Sequence, residues 1–258
     1  MKYGDVTPPA SISEYVDRIL VIEDFKVMHP FTIPLFANGC PTLLFQTKKA
    51  LLNKEPAGHF TMFGQTVKPG ALTIAEDFTL IAYFFKPHAL VSLFNVAGVE
   101  LSDSYVDANL LQTSDIHRLQ EQLLNSASSA DMLSLLNKHI STLISRKKTD
   151  ASKIHRATNL IRNNITKGSL RCVQENLYIT EKTLLRMFEK HVGISPRLYK
   201  RICQFNAAFQ QLSRRKFMKL TEIAYHNNYA DQSHFVRSFR EFTNITPSEY
   251  LNISIPAR

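Results

Sequence analysis

Long apolar runs and paired cysteines are absent from this sequence. No run reaches about 18 apolar residues, the length that a helix needs to cross a bilayer. The segment from Met1 to Pro9 has no apolar core of the kind found in secretory signal peptides. The three cysteines, Cys40, Cys172 and Cys203, are scattered without a CxxC pair, which excludes a disulfide framework and a zinc site of the usual spacing. We therefore expect a cytoplasmic protein without a membrane partner.

Sequence patterns of catalysis and of cofactor binding are missing as well. There is no glycine-rich phosphate loop and no serine nucleophile turn. His29, His59 and His88 lie in or beside predicted strands, but no closely spaced histidine pair has the carboxylate that would complete a metal site. Cys40 lies in a Gly-Cys-Pro loop with no base beside it in sequence. We expect no enzyme activity, no cofactor and no metal.

Acidic residues are scarce in the second half of the chain. From Ala151 onward there are eighteen Lys and Arg but seven Asp and Glu, a net charge of +11. Residues 1–150 contain thirteen basic and fifteen acidic residues, a net charge of −2. Such an excess in one part of a chain is typical of a polyanion binder. Since 258 residues leave room for two domains, we expect the second domain to bind nucleic acid.

Short β-branched and apolar runs predict strands in the first 85 residues. Turn residues such as those of Asn38-Gly39 and Lys68-Pro69-Gly70 separate them. Several short strands at this spacing predict a small β-barrel or sandwich. The predicted strands cover residues 18–27, 42–47, 59–67, 71–75 and 78–85.

The periodicity becomes helical after Pro87. Helices are predicted over residues 88–94, 114–125 and 129–144. The last of these has an apolar stripe that is interpreted either as core or as a dimer seam, and the two interpretations are compatible. The stripe consists of Met132, Leu133, Leu136, Ile140, Leu143 and Ile144.

The remainder of the chain predicts an all-helical domain. A charged stretch at 147–153 is the predicted linker, and a domain over 154–258 follows. Thr180 and Asp231 are predicted N-caps of two helices with one buried face each. A short helix, a sharp turn and a longer helix make a helix-turn-helix unit that reads the DNA major groove. Two such units are predicted, about 169–192 and 220–243, joined by a long helix that starts at Ser195-Pro196.

The two units are a sequence repeat with a constant offset of 51. Five pairs at one spacing predict that both recognition helices can enter successive major grooves, about 34 Å apart on one face of the duplex. The pairs are Thr180 and Asp231, Arg186 and Arg237, Phe188 and Phe239, Pro196 and Pro247, and Tyr199 and Tyr250.

Position on the predicted helices assigns DNA-contacting roles. Arg186 and Arg237 can pair bidentately with guanine, with a phosphate contact or an intradomain salt bridge as the alternative. The predicted base-reading residues are Lys182, Thr183, Leu185, Arg186, Gln232, Ser233, Val236 and Arg237. The predicted phosphate-contacting residues are Thr180, Lys190, Arg197, Arg201, Asp231 and Arg240.

The second unit resembles the C-terminal hallmark of the AraC/XylS family of bacterial transcription regulators. The matching residues are Ala224, Asp231-Gln232-Ser233-His234-Phe235, Arg237, Phe239, Thr246-Pro247 and Tyr250. The resemblance implies a regulator that binds specific sites on double-stranded DNA. It also implies three further partners, namely a small effector, a second copy of the chain and RNA polymerase.

The first half resembles the cupin-like domain that precedes the DNA-binding domain in many such regulators. The resemblance lies in the stretch from Pro34 to Phe45, in Phe63-Gly64 and in the stretch from Phe85 to Phe94. It implies an α+β protein with a β-rich cupin-like barrel or sandwich over residues 1–146. The helical part of that domain is expected at about 87–146, and the domain is expected to sense an effector or to mediate dimerisation.

Several residues depart from the family pattern. Asn228 and Asn244 stand where glycine is common, and Asn tolerates the left-handed conformation better than other non-glycine residues. Tyr178 is expected to be strained at the corresponding turn of the first unit. Gln174 and Gln204 replace a usual alanine and a usual arginine, and with Tyr178 they weaken the match of the first unit.

Two alternative functions remain open at this level. The chain could be an effector-binding protein with a degenerate first DNA-reading unit. It could also be a DNA-repair alkyl acceptor fused to this type of domain, which would need a reactive cysteine cluster in the first half. Cys40 is alone there.

Overall fold

The computed structural model describes residues 1–111, 115–146, 150–164, 170–215 and 217–252. The strands are β1 (Lys2–Val6), β2 (Val16–Asp24), β3 (Phe31–Leu35), β4 (Thr42–Gln46), β5 (Ala50–Leu52), β6 (Glu55–Ala57), β7 (Phe60–Phe63), β8 (Gly70–Ile74), β9 (Phe78–Phe85) and β10 (Tyr105–Asp107). The helices are α1 (Ala89–Phe94), α2 (Ile116–Leu124), α3 (Ser129–Ser145), α4 (Ser152–Asn163), α5 (Leu170–Leu177), α6 (Glu181–His191), α7 (Pro196–Ser213), α8 (Leu220–His226), α9 (Gln232–Thr243) and α10 (Pro247–Asn252).

Two antiparallel sheets form the N-terminal part. The larger has the strand order β1-β2-β9-β4-β7-β10, and the smaller has the order β3-β8-β5-β6. One face of the larger sheet contributes Leu44 and Leu80 to a core shared with Leu72 of the smaller sheet. Its other face contributes Phe45 and residues of neighbouring strands to a core shared with α1, α2 and α3. The predicted cupin-like, β-rich fold is confirmed.

Burial on both faces explains the sequence of the central strands. All five residues of β4 are buried, and so are seven of the eight residues of β9. A strand that is covered on both faces needs apolar residues without alternation. The apolar stripe of α3 is core, since Met132, Leu136 and Ile140 are buried against the larger sheet.

The structure adds elements that the sequence pattern does not predict. The strands β1 and β10 form the two edges of the larger sheet, and β10 lies within the stretch expected to be helical. The predicted linker, 147–153, lies partly outside the described residues, and its end belongs to α4. No helix among the described residues is long and apolar enough to span a bilayer.

The C-terminal helices pack directly on the N-terminal part. Arg162 of α4 donates two hydrogen bonds to the carboxylate of Asp17, at 2.7 and 2.9 Å. The hydroxyl of Ser102 donates to the carbonyl oxygen of Gly193, which follows α6. A Cβ atom on Gly98 would lie 2.4 Å from the backbone nitrogen of Gly193. The backbones of the two parts therefore meet where no side chain fits.

We predict that Gly98→Ala destabilises the chain by about 1–3 kcal/mol, because two backbones must separate to admit the methyl group. Urea unfolding followed by circular dichroism measures the effect. Gly4→Ala is the matched control, since a Cβ atom at Gly4 meets no atom within 4 Å. Equal midpoints for the two variants would contradict this packing.

Candidate nucleic-acid interface

The second unit consists of α8, a turn and α9. Asn228 has a φ of 60°, and the backbone N–H of Tyr229 donates to the carbonyl oxygen of Ala224 at 2.9 Å. The Asp231 carboxylate accepts from the backbone N–H of His234 at 2.7 Å and so caps α9. The buried face of α9 includes Phe235, Phe239 and Phe242. The helix therefore keeps its opposite face for contacts outside the chain.

The exposed face of α9 contains the residues predicted to read DNA. Gln232, Ser233, Arg237 and Arg240 are exposed, whereas Val236 is half-buried. The side chains of Gln232 and Ser233 lie in the first turn of the helix, and Arg237 follows one turn later. This arrangement places amide, hydroxyl and guanidinium groups along one helix, which are the groups that hydrogen-bond to base edges.

The first unit, α5 and α6, repeats the arrangement. The Thr180 hydroxyl accepts from the backbone N–H of Thr183 at 3.2 Å and also bonds the Thr183 hydroxyl. Leu184 and Phe188 are buried on the inner face. The exposed predicted residues are Thr180, Lys182, Thr183, Leu185, Arg186, Lys190 and Arg197. Residue 169, the predicted start of this unit, lies outside the described residues.

The repeat is visible in the backbone as well as in the sequence. Gly193 and Asn244, again 51 residues apart, have φ values of 91° and 64° where α6 and α9 end. Upstream of the caps, Tyr178 and Asn228 are only 50 residues apart, and both are left-handed. The turn of the second unit is therefore one residue longer, and Ala230 is the extra residue.

The helix α7 joins the two units through aromatic contacts. The ring of Phe205 lies 5.6 Å from that of Phe239 and 5.1 Å from that of Phe242. Six residues earlier in the same helix, Tyr199 lies 5.6 Å from Phe188 of α6. The same helix thus packs on both recognition helices.

Gln204, which departs from the family pattern, bonds the turn of the second unit. Its side-chain amide donates to the carbonyl oxygens of Asn227 at 2.8 Å and Asn228 at 3.0 Å. These bonds connect α7 to the turn before α9. The expectation for Tyr178 holds, because it has a φ of 53° that costs a bulky residue about 1–2 kcal/mol.

Most predicted contact residues of positive charge are free to meet an anion. Lys182, Arg186, Lys190, Arg197, Arg237 and Arg240 form no ion pair with any described residue. Arg201 differs, since it is half-buried and paired with Glu241. Its guanidinium also lies 5.5 Å from the centre of the Phe242 ring. A phosphate would have to compete with that carboxylate.

A cavity of about 500 Å³ lies between the two sheets and α7. Apolar side chains of the sheets, among them Leu44, Leu72 and Leu80, form one wall, and Tyr199 and Asn206 of α7 belong to another. Arg18 and Arg162 are polar residues at the margin. The volume is within the range of small-molecule sites. No motif in the sequence indicates this cavity, because it forms between residues that are distant in the chain.

The cysteines beside this cavity are poor nucleophiles. Burial, with a smaller effect of Asp17, raises the pKa of the Cys40 thiol to about 12. Burial likewise raises the pKa of Cys203 to about 11. A protonated thiol neither attacks an alkyl group nor binds a metal. Among the described residues there is also no group of three or more side chains that could hold a metal.

Comparison with known protein families gives two matches. A helix-turn-helix domain family matches residues 175–253, and a domain family of unknown function matches residues 5–107. Among curated protein sequences, none matches this chain.

Solved structures of ToxT from Vibrio cholerae have the same fold. One ToxT structure at 1.65 Å resolution gives a TM-score of 0.53 at 14% identity, over 98% of each chain. A ToxT structure bound to (E)-4-(8-methylnaphthalen-1-yl)but-3-enoic acid gives 0.52 at 13% identity, over 98% of this chain and 99% of ToxT. A third, with an unsaturated fatty acid, gives 0.50 at 15% identity over 90% and 93%. At this identity, the likeness concerns the fold alone.

We predict that only Cys172 reacts rapidly with a thiol reagent such as 5,5′-dithiobis(2-nitrobenzoate) at pH 8. Cys172 is exposed, whereas Cys40 and Cys203 are buried and remain protonated at that pH. In urea all three cysteines should react. Fast labelling of Cys40 in the folded chain would contradict this prediction and revive the alkyl-acceptor alternative.

Proposed function

We propose that the chain is a DNA-binding transcription regulator of the AraC/XylS type and that both of its helix-turn-helix units contact one DNA site. In this proposal α6 and α9 enter successive major grooves on one face of the duplex. The observation that carries the proposal is the packing of α7 on both recognition helices.

The base-reading roles follow from exposure on the two recognition helices. Arg186 and Arg237 occupy equivalent exposed positions, where a guanidinium can pair with guanine or bind a phosphate. Lys182 and Gln232 lie in the first turns of α6 and α9, where side chains reach base edges. Leu185 and Val236 offer apolar contact to a thymine methyl group. Lys190 and Arg240, in the last turns of α6 and α9, contact phosphates and so fix the position of the protein along the duplex.

We also propose that a small, largely apolar molecule binds in the cavity beside α7. Leu44, Leu72 and Leu80 supply an apolar lining, and Tyr199 and Asn206 place the ligand against the helix that positions both units. A ligand that prefers one placement of α7 would shift the population of DNA-binding conformations. The ligands in the related ToxT structures support this proposal.

The same proposal includes two protein partners, a second copy of the chain and RNA polymerase. Leu133, Leu135 and Ile144 are only partly buried, and they could meet a second copy of the chain along α3. A transcription regulator would also meet RNA polymerase at its promoter. These contacts would take place in the bacterial cytoplasm, where the DNA is.

We predict that Arg237→Ala costs about 1–3 kcal/mol at the specific site and relaxes base preference there. The site is first obtained by selection of random duplexes, and affinities are then measured by fluorescence anisotropy. A motif of two blocks about one helical turn apart would support reading by both units. A single block would leave base reading to one unit.

The matched control is Lys190→Ala, which removes an exposed cation in the last turn of α6. It should weaken binding evenly on all duplexes and reduce the salt slope by about one. If Arg237→Ala also weakened all duplexes evenly, Arg237 would be a phosphate contact. If the purified chain selected no motif with or without oleic acid, the two-unit proposal would fail.

For the cavity, we predict that oleic acid at about ten times its dissociation constant raises the melting midpoint by roughly 3–6 °C. Ala82→Phe should abolish this shift, because the buried Ala82 faces the cavity. Ala71→Phe is the control, since Ala71 of β8 does not line the cavity. An equal shift in both variants would place the ligand elsewhere.

A further inference from the structure

We propose that the first unit has an additional contact site for a phosphodiester of the DNA backbone, formed by Lys153, Arg156 and Tyr178 around an open cleft. The proposal rests on DNA binding by the first unit. It assigns an anchoring role to residues that lie outside the recognition helix. The contact would add affinity without reading sequence.

The cleft lies between the start of α4 and the end of α5. It has a volume of about 520 Å³ and is lined by Ser152, Lys153, Arg156 and residues 175–178. Lys153 and Arg156 are exposed and three residues apart, so they lie on the same side of α4. Neither forms an ion pair with a described residue. The one acid in the lining, Glu175, is already paired with Arg171 at 3.0 Å. The cleft therefore presents uncompensated positive charge.

The second unit supplies an internal comparison for this cleft. There the preceding helix, α7, extends Gln204 to the carbonyl oxygens of Asn227 and Asn228. In the first unit the preceding helix is α4, and among the described residues neither Lys153 nor Arg156 makes such a bond to the turn. One unit thus closes the space between helix and turn with a hydrogen-bonding side chain. The other leaves the space open and lines it with two cations.

Tyr178 points to a partner outside the chain. Its side chain is 96% exposed, and its backbone has a φ of 53°. The equivalent residue, Asn228, has a φ of 60°, which asparagine adopts at less cost. The Tyr178 ring makes no ring contact and its hydroxyl no hydrogen bond with any described residue. The left-handed turn is held by the backbone instead, where the N–H of Ile179 donates to the carbonyl oxygen of Gln174 at 3.0 Å. The backbone therefore holds an exposed aromatic side chain in a sparsely populated conformation, and such conformations cluster at binding sites.

The position in the chain favours the DNA backbone as the ligand. Tyr178 precedes Thr180, the N-cap of α6, by two residues. When a recognition helix inserts its N-terminal end into a major groove, the turn before it lies beside the sugar-phosphate backbone that borders the groove. A phenol hydroxyl and two cations are donors that phosphate oxygens accept.

The test is the salt dependence of DNA affinity on the selected duplex and on an unrelated duplex. The double variant Lys153→Ala/Arg156→Ala should weaken both by a similar factor, on the order of tenfold, and reduce the salt slope by about two. Tyr178→Phe should weaken both duplexes as well, because the phenol donor is lost. Lys49→Ala, which removes an exposed cation between β4 and β5, is the matched control and should change neither quantity.

Tyr178→Asn separates a DNA contact from a structural role. It should raise the unfolding midpoint, because asparagine accepts the left-handed conformation, and still weaken DNA binding severalfold. If Tyr178→Asn were more stable than the wild-type chain and bound DNA with the same affinity, the proposed role of Tyr178 would be overturned. The unfolding midpoints of all variants show whether a loss of affinity reflects a loss of folding.

Other outcomes overturn the inference and leave the proposed function standing. In the first, the wild-type chain selects its motif, and the variants keep the DNA affinity and the salt slope of the wild-type chain. A second is unchanged DNA binding with lost activation by purified RNA polymerase, which would assign the cleft to the polymerase. A third is calorimetric binding of inorganic phosphate in the cleft that leaves DNA affinity unchanged. Failure of the wild-type chain to bind any duplex would instead refute the proposed function.

Discussion

The packing of α7 against aromatic rings is the constraint on which the DNA-binding part depends. Phe205 and Phe209 are buried in this helix and contact Phe239, Phe242 and Tyr250. Because Tyr199 packs on Phe188 near the other end, one rigid element fixes both recognition helices. A dimeric regulator needs two chains to place two such helices, whereas this chain needs one helix of 18 residues. Any change in how α7 packs changes both units together.

The same helix also connects this constraint to the N-terminal part. Ile202 and Tyr199 lie against the loop at Gly39, where an added Cβ would be 3.5 Å from each. Phe36 packs on Phe209 at 5.6 Å between ring centres. The cavity lies beside these contacts, so a ligand there would touch α7 directly. Coupling between ligand and DNA then needs only a small shift of one helix, rather than a pathway through many residues.

Local rules account for most of what the sequence predicted. The caps Thr180 and Asp231 and the left-handed Asn228 and Asn244 are determined by neighbouring residues, and the structure contains all four. The edge strand β1 was not predictable, because its residues are mostly exposed and have no apolar alternation. The cavity and the role of Gln204 depend on contacts between distant segments. Single-sequence patterns contain no information about such contacts.

The repeat also explains why the two units need not contribute equally. Both turns have an equivalent backbone hydrogen bond, but the turn of the second unit also accepts two bonds from the Gln204 side chain, at Asn227 and Asn228, which help to orient α9 for directional bonds to bases. In the first unit Tyr178 stands where the second unit has Asn228, and the left-handed conformation costs tyrosine more free energy than asparagine. Bonds to bases lose energy quickly when a helix is misaligned, whereas attraction between a cation and a phosphate tolerates small shifts. If both units read bases as proposed, the first unit is therefore expected to discriminate between bases less sharply than the second. On this argument, which follows from the proposed function, the departures of the first unit predict an unequal share of base reading between the two units and not a loss of DNA binding.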